Sequence, residues 1–532
     1  MAEELQILET VPRLSQSAIW RLQRRFYEAR GPAAWGRGGV PSWATSSPFV
    51  AASYLKVVLG FLRDLRAGRS PLGGLDPSAP VHVIELGAGH GRFTHAFLQE
   101  LDAIRGHPVL AGLRVRYLMT DVAQANLAAA AAHPAFRGWV DGGSLAFASF
   151  DVGRDAAFAP HASGGVEEIG GNPLIVIANY VFDSVPHDCF RVSDGALFED
   201  RVSVVASGPA PASLDDPGVL PRCSLRFDPR PASPPCYDDR GLDLVLDGYR
   251  RRLSSAHVAI PVAAIRCLKA LHDLSGGRFL VLAADKGMLD EDQLEGQGPP
   301  AMMSHAGAFS LPVNFHALTA WLQLRGGSGL LTRGRESLVK VAALLSRGPA
   351  AAFPETRMAF RDAIDGFGPG DFFRLVESVP PEPEPPHRLA MDLFRLSRFD
   401  PHVLCRYRDV LVAGGGGLPP AAAEDMRRGL ETAWTRCLPL PGSDDVAFEI
   451  GRVLYEMGRD ADALRFWQRS LDLFGEDPMT FHNMGLSHWR LRDLPGALRC
   501  FDAALARDPE HAQSRAWRLR VAAALAREAG EA

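Results

Sequence analysis

The stretch VIELGAGHGRF, residues 83–93, sets Glu85 two positions before Gly87 and spaces Gly87, Gly89 and Gly91 as G-x-G-x-G. Glycine has no Cβ and enters left-handed backbone without steric cost, so such a run lets a chain pass closely against a ligand. A dinucleotide fingerprint requires G-x-G-x-x-G, and Arg92 stands beyond Gly91 where that spacing fails. A phosphate loop requires Lys followed by Ser or Thr, and the run has no Lys. A tight turn that holds no ligand is the plain alternative. Other polar groups follow apolar stretches in the same manner. Asp121 closes YLMTD, Asp151 follows ASF, and Asn179, Asp183 and His187 lie in IANYVFDSVPHDCF. Asp183 and His187 are candidate proton acceptors, or equally a helix cap and a surface imidazole. His305, Asn314 and His316 lie in a later segment, where Asn314 reads best as an N-cap.

The elements that must position these groups follow from the hydrophobic pattern. Strands are expected at 81–86, 115–120, 145–150, 174–179 and 278–284, with a final pair near 329–346. Helical spacing marks 14–30, 47–67, 92–104, 122–132, 243–273 and 314–325, the second starting with Ser47 as N-cap and Pro48 at the first position. Short apolar strands alternating with helices predict a Rossmann-like, mostly parallel sheet covered on both faces. In that fold the strand ends meet in one crevice, which gathers the glycine loop, Asp121, Asp151 and Asn179. Alternation on both sides of Asp194-Gly195 predicts a hairpin within 190–205, and the Pro- and Ser-rich stretch 208–240 is expected to be a surface loop.

The spacing E-x-G-x-G-x-G resembles that of S-adenosylmethionine-dependent methyltransferases. Their cofactor has no phosphate but carries a sulfonium and an ammonium group, so Glu85 fits the amino end, Asp121 the ribose hydroxyls and Asp151 the adenine amino group. Asn179, Phe182, Asp183 and Pro186 resemble the segment N-E-F-F-D-A-L-P of MidA-type methyltransferases, as do RRFYEARGPAAW and SSPFVAASYL upstream. The resemblance spans about residues 15–345. It implies the seven-stranded class I methyltransferase fold, S-adenosyl-L-methionine as cofactor, Glu85, Gly87, Ala88, Gly89, Gly91, Asp121, Asp151 and Asn179 as its binding residues, and Asn179, Asp183 and His187 as catalytic candidates. Mitochondrial members methylate a protein arginine. Tyr180 replaces the family's Glu, which argues against arginine as acceptor and keeps open a non-catalytic or cofactor-sensing scaffold.

The 532 residues exceed one ordinary core. A net charge of -5 gives no global reason to expect nucleic acid or an anionic membrane as partner. An acidic N-terminus without an apolar core is not a secretory signal, and scattered cysteines fit a cytoplasmic chain without a metal site. Toward the C-terminus, Gly451, Tyr455, Ala463-Leu464 and Trp467 recur 34 residues later as Gly485, Trp489, Ala497-Leu498 and Phe501. The period resembles tetratricopeptide (TPR) repeats and implies an all-α arm that binds a protein partner. The expected divisions are a helical entry segment (1–78), a methyltransferase domain with an insertion at 190–242 (79–347), a helical linker region (348–442) and the repeats (443–532). Within the linker region, 379–387 and 412–420 read as flexible joints.

Overall fold

The computed structural model describes residues 5–36, 38–161, 169–209, 215–333, 339–382 and 385–531. The chain forms two compact units, Met1–Arg374 and Leu375–Ala532.

In the first unit a central sheet has eight strands: β1 (Val81–Leu86), β2 (Val115–Asp121), β3 (Leu145–Ser149), β4 (Ala159–Pro160), β5 (Leu174–Asn179), β6 (Phe279–Asp285), β7 (Ser328–Leu331) and β8 (Lys340–Leu345). Their order is β7-β8-β6-β5-β1-β2-β3-β4. The sheet therefore has eight strands where seven were expected, the extra one being the two-residue edge strand β4. Pairs among β6, β5, β1, β2 and β3 are parallel, while β8 runs antiparallel to both β6 and β7. Every residue of β1, β6 and β8 is buried, as strands covered on both faces require. Chain order reverses between β1 and β5, and such a switch point opens a crevice at the strand ends.

A second, antiparallel sheet is built from Leu5–Val11, Asp188–Ser193, Ala196–Ser207, Cys223–Pro231 and Ser255–Ile260. Asp194 and Gly195 join two of these strands with φ of 49° and 77°, the pair of left-handed residues that a tight two-residue hairpin demands. Three expectations are corrected here. The stretch 208–240 is not wholly a loop, because Cys223, Leu225 and Phe227 pack inward and alternate with exposed Ser224, Arg226 and Asp228 to make a strand. The helical stretch 243–273 is divided by strand Ser255–Ile260, whose buried Ala256, Val258 and Ile260 lie against Asp188–Ser193. The entry segment also contains a strand, Leu5–Val11, paired with Ala196–Ser207.

Helix Pro48–Arg66 begins on Ser47, whose side chain accepts from Val50 N. Its buried Asp64 accepts from Glu355 N (3.1 Å), Thr356 N (2.8 Å) and Thr356 Oγ1 (2.7 Å), capping helix Pro354–Phe360. That network ties the chain after β8 to helix Pro48–Arg66 within the first unit.

The second unit is helical. Helices Val446–Glu456 and Asp460–Phe474 are followed by Pro478–Arg490 and Leu494–Arg507, and then by Ala512–Glu531. In each of the two pairs a glycine lies under an aromatic ring. A Cβ on Gly451 would stand 2.3 Å from Trp467, and one on Gly485 2.7 Å from Phe501. The 34-residue recurrence thus records two equivalent close approaches. Helix Arg408–Gly415 takes in the first two glycines of the tract expected to be a joint, and Pro420–Arg436 begins three residues past its last glycine. Among the described residues no helix is long and apolar enough to cross a membrane, and no cluster of side chains could hold a metal ion.

Candidate active site

The glycine loop leaves β1 with φ of 58°, 56° and 77° at Gly87, Gly89 and Gly91. These left-handed turns carry the chain across the end of β2, where Asp121 receives it. Gly89 N donates to Asp121 Oδ2 and Ala123 N to Oδ1, both at 2.8 Å. The Thr120 carbonyl and side chain face the same bend: Ala88 N donates to Thr120 O (2.9 Å), and Thr120 Oγ1 donates to Glu85 O (2.7 Å). Space around the loop is tight. A Cβ on Gly87 would lie 2.9 Å from Val181 and one on Gly89 2.8 Å from Trp35.

A cavity of about 710 Å3 opens at this edge of the sheet. Its floor includes Glu85, Gly87, Ala88, Gly89, Asp121, Asp151, Asn179 and Asp183, which brings together all the expected site residues except Gly91 and His187. Gly91 lies behind the loop against Phe136 and Met119. His187 is fully buried, its Nε2 2.8 Å from Phe182 O, and it packs on Trp20. Burial lowers its pKa to about 4, so it is a neutral internal imidazole. Of the later group, His305 lines the cavity, whereas Asn314 caps helix Phe315–Gln323 and His316 contacts Tyr249 Oη.

The segment from Ser15 to Ser46 forms the opposite wall. Trp35 covers Gly89, stacks on Tyr27 and meets His90 edge-on. His90 Nδ1 accepts from Arg92 N (3.1 Å), so its Nε2–H is directed at Ser42 Oγ (2.7 Å). Arg24 reaches across to form an ion pair with Asp151. RRFYEARGPAAW carried the family resemblance, but no role was assigned to Arg24, Tyr27 or Trp35, because their contacts arise only when residues far apart in sequence fold together.

Each acid has its own environment. Glu85 is enclosed, with Thr94 Oγ1 and Tyr117 Oη donating to Oε2, and burial pushes its pKa up to about 7. Burial also raises Asp121, against the opposing pull of the amides it accepts. Asn179 is held by Tyr54, whose hydroxyl donates to Oδ1 (2.9 Å), while Nδ2 donates to Thr45 O (3.0 Å). The side chain of this catalytic candidate is thus committed to the cap and to helix Pro48–Arg66. Tyr180, next in sequence, has φ of 54° and lines the cavity. A bulky residue in left-handed backbone is an outlier that the surrounding structure must hold in place. Asp183 accepts from Ser184 Oγ (2.7 Å). Behind it lies Asp285, the last residue of β6, an acid at a strand end like Asp121 and overlooked by the sequence reading.

No curated protein matches the chain in sequence. An uncharacterized Burkholderia thailandensis protein of known structure is 14% identical over 64% of this chain and 95% of its own, with a TM-score of 0.35. A second structure from that organism, bound to S-adenosyl-homocysteine, is 15% identical over 63% of this chain and 87% of its own, with a TM-score of 0.39. YrrB, a TPR protein with an unusual peptide-binding site, is 16% identical over 33% of this chain and 81% of its own, with a TM-score of 0.21. Residues 72–282, which carry the glycine loop and strands β1 to β5, match the family described as "Putative S-adenosyl-L-methionine-dependent methyltransferase", whose cofactor is S-adenosyl-L-methionine.

Proposed function

We propose that the first unit transfers a methyl group from S-adenosyl-L-methionine to a protein or carrier-bound acceptor, and that the helical arm recruits that acceptor. The observation that carries this reading is the convergence of Glu85, Gly87, Ala88, Gly89, Asp121, Asp151 and Asn179 on one cavity. Its volume of about 710 Å3 leaves room for an acceptor group beside a cofactor-sized ligand. When bound, the cofactor supplies a methyl group already activated on a sulfonium. The chain's own task is to hold, align and exclude water. Asp121 keeps lone pairs beyond those used by Gly89 N and Ala123 N, and these suit ribose hydroxyls. Glu85 suits the amino group, and Asp151 with Arg24 borders the adenine end. Tyr27, Trp35 and His90 close the loop from above. Asp183, at the cavity wall, takes a proton.

A second reading, a cofactor-sensing scaffold without turnover, rests on Tyr180, which stands where MidA-type enzymes carry Glu. Calorimetry with S-adenosylmethionine and S-adenosylhomocysteine, followed by radiolabelled turnover in cell extract, decides. Binding with turnover supports the enzyme, binding alone the scaffold, and absence of heat defeats both.

A further inference from the structure

Asp285 ends β6 with no exposed surface. The β5–β6 register sets Ala284 opposite Asn179, so Asp285 falls beside the bend that carries Tyr180 and Asp183. Its Oδ2 accepts from Phe182 N (3.2 Å), while Oδ1 has no N–H or side-chain donor among the described residues. Its close neighbour is the Asp183 carboxyl, one residue past the Phe182 amide that Asp285 accepts, and each acid acts on the other's charge. Two carboxylates repel; a hydrogen bond between them needs a proton on one. Asp285 is the deeper of the two and does not line the cavity, whereas Asp183 does.

We propose, resting on the methyltransferase reading, that Asp285 is a positioning residue that shares one proton with Asp183, leaving Asp183 as the base for an O–H or N–H acceptor. The transfer then balances. The acceptor's lone pair forms the new bond to the methyl carbon. The C–S bond breaks with its electrons on sulfur, giving neutral S-adenosylhomocysteine, and the acceptor's proton passes to Asp183.

The surroundings suit this division. Ser184 Oγ donates to Asp183, and Ser310 and the Lys286 ammonium favour its charged form. The phenols of Tyr27, Tyr54 and Tyr180 face the pair and are kept protonated by burial and by the acids themselves. His305, bound to Ser310 Oγ at 2.9 Å, is held neutral by burial and Lys286. Asp183 is raised to about 6 and Asp285 well above the carboxylate range, with burial the first cause in both. At neutral pH the outer acid is thus the charged one.

The test uses the full-length chain with S-adenosylhomocysteine as binding probe and radiolabelled cofactor in cell extract as activity probe. Asp285→Asn keeps an N–H donor toward Asp183; Asp285→Ala removes it. S-adenosylhomocysteine affinity is expected to be unchanged in both. Asp285→Asn is expected to keep the rate within about threefold and the acid limb of the pH–rate profile in place. Asp285→Ala is expected to lose about tenfold and to move that limb upward, since Asp183 loses a donor to its charged form. Folding tests the proton without an acceptor. A native-state proton that the unfolded chain releases makes stability fall as pH rises. The wild-type Tm is therefore expected to drop from pH 5 to pH 8 by about 4 °C or more relative to Asp285→Asn. Equal Tm slopes, an Asn variant as inactive as the Ala variant, or an Ala variant with the wild-type profile each overturn the proposal. Wild type that binds S-adenosylhomocysteine without turnover defeats the enzyme reading and the base role with it. The Tm comparison alone then decides the shared proton.

Discussion

Asp121 does two jobs with one carboxylate: it fixes the glycine loop through Gly89 N and Ala123 N, and it faces the cavity. Asp121→Ala is expected to weaken S-adenosylmethionine binding by about 1–3 kcal/mol in calorimetry, the scale of losing hydrogen bonds to a charged group. It also leaves two amides without their acceptor, so Tm falls as well. Gly89→Ala tests the loop itself. At φ of 56° a Cβ is strained, and it would meet Trp35 at 2.8 Å. A loss of about 1–3 kcal/mol in chemical denaturation is expected, together with loss of cofactor binding. Glu85 carries a pH prediction. Its pKa is raised from 4.5 to about 7 in the folded chain, so the native state retains a proton that the unfolded chain gives up. Stability from this group is whole below pH 4.5 and declines toward pH 7. Glu85→Gln removes that decline, and the variant is expected to gain up to about 3 kcal/mol on wild type between pH 5 and pH 8 in urea melts. Glu85, Asp121 and Asp151 could be found in the sequence because each lies at or within two residues of the end of an apolar strand. Asp285 terminates one too, in FLVLAAD, yet no second motif drew attention to it. His187 was misleading in the opposite direction: its place four residues after Asp183 suggested the same surface, but the chain turns it inward against Trp20.

Strands and helices were recoverable wherever one periodicity ruled. The buried strands β1, β5 and β6 are short and nearly all apolar, and they occupy the expected positions. Cys223–Pro231 alternates just as plainly, but Pro229 and Pro231 near its end make the stretch read as loop. It survives because proline's missing N–H is tolerated where the ladder is incomplete, as at an edge strand. The split of 243–273 has a similar cause. Six residues, SAHVAI, are too short to interrupt a helical pattern by eye, and only pairing with Asp188–Ser193 defines them. In the second unit the periodic signal was packing itself: Gly451 admits Trp467, and Gly485 admits Phe501. Gly451→Val forces a branched side chain into ring atoms 2.3–2.7 Å away. A loss of about 1–3 kcal/mol is expected for the helical unit, read as a lowered first transition in calorimetry. Cofactor binding by the first unit should not change. A drop in S-adenosylhomocysteine affinity would tie the repeats to the cavity.

The chain's division bears on how an acceptor reaches Asp183. Arg374 closes the first unit, which holds the entire cavity wall, from Glu9 and the Ser15–Ser46 cap to Ser310. Among the described residues, none that lines the cavity lies beyond residue 374. Cofactor affinity is therefore expected to be a property of the first unit alone. A chain ending at residue 380 should bind S-adenosylhomocysteine within about twofold of the full-length protein, a difference of roughly 0.4 kcal/mol. Acceptor capture is a different matter. If the arm delivers a tethered acceptor, its removal lowers the local concentration of that acceptor at the cavity without changing the chemistry there. The truncated chain should then show a raised KM for a protein acceptor and an unchanged kcat at saturation. Loss of S-adenosylhomocysteine binding on truncation would contradict the assignment of the cavity to one unit. An unchanged KM would contradict recruitment by the repeats, leaving the cavity to select its acceptor alone.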